Sequence, residues 1–231
     1  MKKSLLVLAV LSAFAPVLAQ AEAGDIVVRL RAASVSPDEK SKLAETVAAN
    51  VADVMTPGAN LAVGNNTIPE LDISYYITKN IAAELILAVG TKHKVSVVGD
   101  ANATVGNQYL GKVNLLPPTL TAQWHFNPDQ MIDPYVGAGV NYTHSFDPKL
   151  AFSSGALIGQ EIKIDRNMFG LVAQAGVDIN LGSGWLINAD VKYIDVNTDV
   201  KKRTNSASPW VKIDDLDINP WVFGVGIGKK F

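Results

Sequence analysis

The chain has no cysteine among its 231 residues. That excludes a disulfide scaffold, a Cys-ligated metal site, a thiol nucleophile and a lipidated N-terminal cysteine. Charge is sparse as well: charged residues make up 18% and the formal net charge is −2, so no electrostatic footprint for a nucleic acid is present. Histidine occurs only as His93, His125 and His144, on separate segments without ligand spacing, so no metal and no cofactor are expected. Signatures of nucleotide binding and hydrolysis are missing too. Gly224, Gly226 and Gly228 are spaced by two with no helix following, unlike a dinucleotide fingerprint, and there is no Gly-x-Ser-x-Gly elbow. With no catalytic constellation in view, an enzyme is not expected.

Long hydrophobic runs are confined to the start. Lys2 and Lys3, the apolar stretch from Leu5 to Leu18, and Ala19-Gln20-Ala21 read as a cleaved secretory signal over residues 1–21, with Ala23 as a second possible cleavage point. Beyond it no run approaches the ~20 apolar residues of a spanning helix. An exported chain that enters a membrane must therefore cross it with strands.

Strands are what the rest of the sequence supplies. Residues 25–33, 71–78, 81–98, 115–126, 134–146, 168–181, 185–200 and 211–231 alternate with a period of two. The last segment is the clearest: Trp221, Phe223, Val225 and Ile227 oppose Val222, Gly224, Gly226 and Gly228, and the chain stops on the aromatic Phe231. A helical period is weak everywhere, the best candidate being residues 43–55 in the first long connection. Connections after the second, fourth and sixth segments are short and the others long, which is the layout of an outer-membrane barrel with both termini in the periplasm. A secreted sandwich or lipocalin-like barrel also alternates. Three features weigh against it: aromatics near strand ends (Trp124, Phe126, Tyr142, Trp185, Trp221), an apolar face almost free of charge, and an opposite face rich in glycine. The expected fold is all-β, an eight-stranded antiparallel transmembrane barrel over residues 22–231.

An eight-stranded barrel has an interior just wide enough for side chains to fill it, so a wide pore is excluded. The face opposite the apolar one divides by height. Toward the periplasm it carries Glu84, Gln123, Gln174, Asp178, Asp190 and Lys192, a polar floor. Toward the outside it turns apolar at Val98, Leu115, Pro117, Val172, Ile194 and Val196, a cup; Lys92 and Lys94 are assigned to this inward face as well. Pro117 and Pro118 are consecutive, and neither has a backbone N–H for a ladder. They read either as a lateral opening in the wall or simply as the start of a strand above the membrane. Lys201, Lys202 and Arg203 in the last long connection either meet outer-leaflet phosphates or form a solvated charge run.

Three blocks carry a family resemblance: residues 116–124 with Leu116, Pro117, Pro118 and Trp124; residues 134–143 with Pro134, Tyr135, Gly137, Gly139 and Tyr142; and residues 219–223 with Asn219, Pro220 and Trp221. In this order they resemble the OmpW family of small outer-membrane barrels, OprG- and AlkL-type proteins included. The resemblance implies passive uptake of small, mainly hydrophobic molecules, which enter an apolar extracellular cup and leave by a lateral opening at Pro117 and Pro118. It matches Ile86 to an apolar lining position but meets Lys192 where an aromatic is expected, which leaves small polar solutes such as amino acids as an alternative cargo. It implies that Phe231 is the C-terminal signal read by the outer-membrane assembly machinery, while Lys229 replaces a tyrosine of the family pattern. Expected partners are outer-membrane lipid, lipopolysaccharide and small hydrophobic solutes, with the protein a monomer. The other reading is a structural or receptor barrel that binds colicin or phage through its long loops.

Overall fold

The structure is a computed structural model describing residues 22–50, 55–89, 91–102, 104–146 and 149–231; the predicted signal segment, residues 1–21, lies outside the described residues. Its strands are β1 (Ile26–Ser36), β2 (Asn60–Val63), β3 (Asn66–Tyr76), β4 (Ile81–Ala88), β5 (Thr91–Val98), β6 (Gln108–Leu116), β7 (Thr119–His125), β8 (Ile132–Ser145), β9 (Lys149–Ala151), β10 (Glu161–Ile164), β11 (Asn167–Gly182), β12 (Trp185–Arg203), β13 (Val211–Asp217) and β14 (Trp221–Lys230). An α-helix, α1 (Leu43–Asn50), lies where the weak helical period was noted.

Eight staves close into a ring: β1 pairs with β3, β3 with β4, β4 with β7, β7 with β8, β8 with β11, β11 with β12, β12 with β14 and β14 with β1, all antiparallel. Closure removes the sheet edge that could not be hydrated in lipid. The seam is tied at the periplasmic end, where the Ile26 N–H donates to the Phe231 carbonyl at 3.1 Å and the Phe231 N–H to the Ile26 carbonyl at 2.8 Å. At the seam, β14 needs its glycines. A Cβ on Gly226 would enter the Leu30 carbonyl oxygen and the Arg31 Cα, and one on Gly224 would enter the Asp190 carboxylate.

The outward face is apolar in a belt bounded by aromatics. Tyr75, Trp124, Phe126, Trp185 and Phe231 are exposed near the periplasmic end, and Tyr142, Phe169 and Trp221 near the outer end. In the outer girdle Tyr142 lies 5.0 Å from Phe169 and Tyr193 5.1 Å from Trp221, centroid to centroid. Lys229 is accommodated in the lower girdle, its Nζ 5.1 Å from the centre of the Trp185 ring, where a cation meets the negative π face. The 19 residues of β12 exceed the ~9–11 that a tilted strand needs to cross. The barrel wall therefore continues outward, where β2, β5, β6, β9, β10 and β13 widen it.

The structure corrects the sequence reading in several places. Lys201, Lys202 and Arg203, assigned to the last long connection, are the end of β12. Val98 faces outward and is 40% exposed, and Lys92 and Lys94 are exposed with it, while Thr91, His93, Val95 and Val97 turn inward. The reason is one extra residue in the third stave. Ile86 pairs with Thr119 and Thr91 with Leu115, so five steps on one strand meet four on the other, and the inward phase inverts. Residues 66–70, assigned to a loop, belong to β3. The eighth segment is two strands: β13 pairs with β12 in the outer wall, and β14 alone closes the barrel.

Candidate functional site

The lumen is filled from the periplasmic end by a buried polar network. At its lowest level the His125 ring stacks on Tyr135 at a centroid distance of 4.9 Å and meets the tilted Tyr76 ring at 5.0 Å, and His125 Nδ1 lies 2.7 Å from Asp133 Oδ2. Above it Arg29 donates from Nε and Nη2 to the two Asp178 oxygens at 3.2 and 2.5 Å and from Nη1 to Ser74 Oγ at 2.6 Å. The next level centres on Arg31, whose guanidinium lies 2.7 Å from Glu70, 2.6 Å from Asp72 and 2.9 Å from Asp190. Glu84 accepts from Gln123 Nε2 at 2.8 Å and Gln174 Nε2 at 3.0 Å. Lys192 caps the stack, its Nζ 3.0 Å from Glu70 and 2.9 Å from Asp190. All six residues of the expected floor, Glu84, Gln123, Gln174, Asp178, Asp190 and Lys192, are thus buried in one network. Buried charges persist only when paired, and here the pairs join β1 to β3, β11 and β12 across the lumen.

Over this floor opens a cavity of about 100 Å³ with an apolar wall. Ile86, Leu115, Pro117, Ile194 and Val196 line it; Val172 is buried in the same apolar cluster, and Val98 is not part of the wall. Further lining comes from residues outside the expected set, among them Ile68, Ile162, Met168 and Val222. Glu70 and Lys192 mark its bottom, already engaged with each other.

Beside Pro117 the wall loses its ladder. The last β4–β7 pair is Ile86–Thr119 and the next pair upward is Thr91–Leu115; among the described residues no backbone pair joins residues 87–89 to residues 116–118. On the other side of the prolines pairing persists, with the Tyr142 N–H donating to the Pro118 carbonyl at 3.0 Å and Leu116 opposite His144. Asn141 reinforces that side: its Nδ2 lies 2.8 Å from Thr119 Oγ1 and 3.3 and 3.4 Å from the Pro117 and Pro118 carbonyls. The break is therefore one-sided, toward β4 and β5.

Among the network residues absent from the expected floor, Arg29, Arg31, Glu70 and Asp72 are charged and meet at its centre. The signal was in the sequence: three acidic floor positions around a single lysine need cations from a neighbouring inward face, and Arg29 and Arg31 share one. His125, Asp133 and Asp178 also converge, with possible ligand atoms within 4.8 Å of one another. Arg29 and Asn188 already occupy the Asp178 oxygens, so the positive charge that this carboxylate needs is supplied by the protein.

The sequence matches the OmpW family model over residues 22–231. The chain belongs to the OmpW family. It is 37% identical to Outer membrane protein W of Vibrio cholerae over 235 aligned positions, covering all of both chains. The crystal structure of OprG from Pseudomonas aeruginosa superposes with a TM-score of 0.73 at 28% identity, covering 91% of this chain and 97% of that one. The solid-state NMR structure of AlkL in DMPC lipid bilayers gives 0.63 at 28% identity, with 92% of each chain covered. As in these OmpW-family barrels, the closed eight-stave ring is a transmembrane one, and the protein resides in the outer membrane.

Proposed function

We propose that this OmpW-family barrel is a passive conduit for small, mainly hydrophobic molecules. A solute enters the apolar cup from outside and leaves sideways into the bilayer, between residues 87–89 and 116–118. The one-sided ladder break next to Pro117 carries this reading. In hydrocarbon an unpaired backbone group costs several kcal/mol, so a wall that leaves such groups without ladder partners beside an apolar cavity favours occupation by something other than lipid alone. The sealed floor supports it too, because straight passage to the periplasm would require breaking Arg29–Asp178 and the pairs around Arg31. Engagement of Lys192 by Glu70 and Asp190 favours an apolar over a polar cargo, since the cation at the cup floor is already paired. Outer-membrane lipid surrounds the belt in this reading, the monomer suffices, and Phe231 at the seam is the residue presented to the assembly machinery.

The experiment is uptake of an apolar fluorescent tracer into proteoliposomes, wild type against Pro117→Ala/Pro118→Ala, which restores two N–H donors. Uptake above protein-free liposomes, reduced in the variant, is expected. Equal uptake in both proteins would refute the lateral exit, and no uptake in either would refute the conduit.

A further inference from the structure

A row of lysines runs around the outer wall. Lys94 stands opposite Lys112 across β5 and β6. β6 lies beside β9 where Gly111 meets Leu150, and from β9 onward Lys149 is opposite Lys163, Lys163 opposite Lys201, and Lys201 opposite Lys212. Like charges placed directly across a ladder destabilise it, so each half of the row requires compensation. One half has it internally. Lys201 lies 3.2 Å from Asp165 and 3.0 Å from Asp199, Lys212 lies 2.6 Å from Asp199 and 3.5 Å from Asp215, and Lys163 caps the Trp210 ring at 4.3 Å. The other half has none. Lys92, Lys94, Lys112 and Lys149 are exposed, and among the described residues none of them has a carboxylate within 4.0 Å.

The height of this half identifies what covers it. Lys92 is opposite Asn114, whose carbonyl accepts the Phe146 N–H at 3.0 Å, and Phe146 follows Tyr142 of the outer girdle by four residues on the same outward face. At ~3.3 Å per residue and ~40° of tilt, Lys92 stands roughly 10 Å above the girdle and the Lys94–Lys112 pair roughly 15 Å above it. That slab holds the headgroups of the outer leaflet. We propose that the outward face of β5 and β6, through Lys92, Lys94 and Lys112 with Lys149 at its edge, binds the phosphorylated sugar head of lipopolysaccharide. The inference rests on the outer-membrane location and not on the conduit reading. It places the glycolipid head over the ladder break, since β5 and β6 begin where that break ends.

The test titrates fluorescent lipopolysaccharide into the full-length protein in neutral lipid nanodiscs. Lys92→Gln/Lys94→Gln/Lys112→Gln is expected to bind on the order of a hundredfold more weakly, each lysine near an anionic surface being worth roughly fivefold. Lys201→Gln/Lys212→Gln, drawn from the compensated half, is expected to bind as wild type does. Phosphatase-treated lipopolysaccharide should bind the wild type as weakly as the triple variant binds the intact glycolipid, and inorganic phosphate at millimolar concentration should not compete. A salt series on the wild type reads the same charges without any substitution: affinity should fall steeply as ionic strength rises. Unchanged binding in the triple variant, equal loss in both variants, indifference to phosphate removal or salt, or displacement by inorganic phosphate would each overturn the proposal.

Discussion

Asp178 on β11 receives both arms of Arg29 on β1, from Nε at 3.2 Å and from Nη2 at 2.5 Å, and so ties two staves that are not neighbours in the ring. The bidentate geometry is the strong form of a charged hydrogen bond, and both groups are buried. Arg29→Ala leaves Asp178 as an uncompensated charge in the lumen, with an expected loss of about 3–5 kcal/mol. Urea unfolding followed by tryptophan fluorescence measures it. The double variant Arg29→Met/Asp178→Leu should recover most of the loss, because removing both charges removes the penalty with the bond.

Asn141 predicts a local effect where Arg29 predicts a global one. Asn141→Ala withdraws the amide from the Pro117 and Pro118 carbonyls and from Thr119 Oγ1. Losing such a bond costs about 1–1.5 kcal/mol, so the Thr119 and Tyr142 amides should exchange with deuterium roughly tenfold faster. The Val136 amide, low on the same strand β8, should not change.

These residues show what was legible in the sequence. The eight staves were, because a lipid-facing wall forces strict alternation over whole strands and the glycines of β14 are needed for room. The floor was legible in part: Glu84, Asp178 and Asp190 announce themselves by charge on a buried face, while their partners Arg29 and Arg31 come from a strand 53 to 159 positions distant and pair only once the ring closes. The inward phase of β5 was not legible, because a single extra residue between Ile86 and Thr91 inverts it without leaving a compositional mark. β2, β9 and β10 were missed, and β13 was run together with β14, for a related reason. Their pairing comes from neighbours in the outer wall, and β9 and β10 are too short for a period to emerge.

The extracellular loop after β5 carries a pH-dependent contact. Burial pushes the Asp100 carboxyl up, but the Thr56 hydroxyl at 2.7 Å and N–H at 2.9 Å, with the N–H groups of Asn102 at 3.1 Å and Gly106 at 3.0 Å, outweigh it and hold the group below its ordinary 3.8. A carboxylate held low in the folded state adds stability above its unfolded value and forfeits it as pH falls through the folded one. Exchange at the Asn102 and Gly106 amides should therefore be steady from pH 7 down to about 5, after correction for intrinsic rates, and accelerate below about 4. Asp100→Asn should abolish that acid step.

The path of the solute is tested most directly by photolabelling. An apolar tracer bearing a diazirine is equilibrated with the protein in liposomes and irradiated, and the labelled residues are mapped by mass spectrometry. A solute that leaves sideways labels the cup at Ile86, Leu115 and Ile194 together with the rim at Leu87, Val89 and Leu116, and a tracer excess abolishes both sets of labels. Labels on the cup and on the floor at Gln123, Gln174 and Asn188, with none on the rim, would contradict the lateral exit and put the path through the barrel instead.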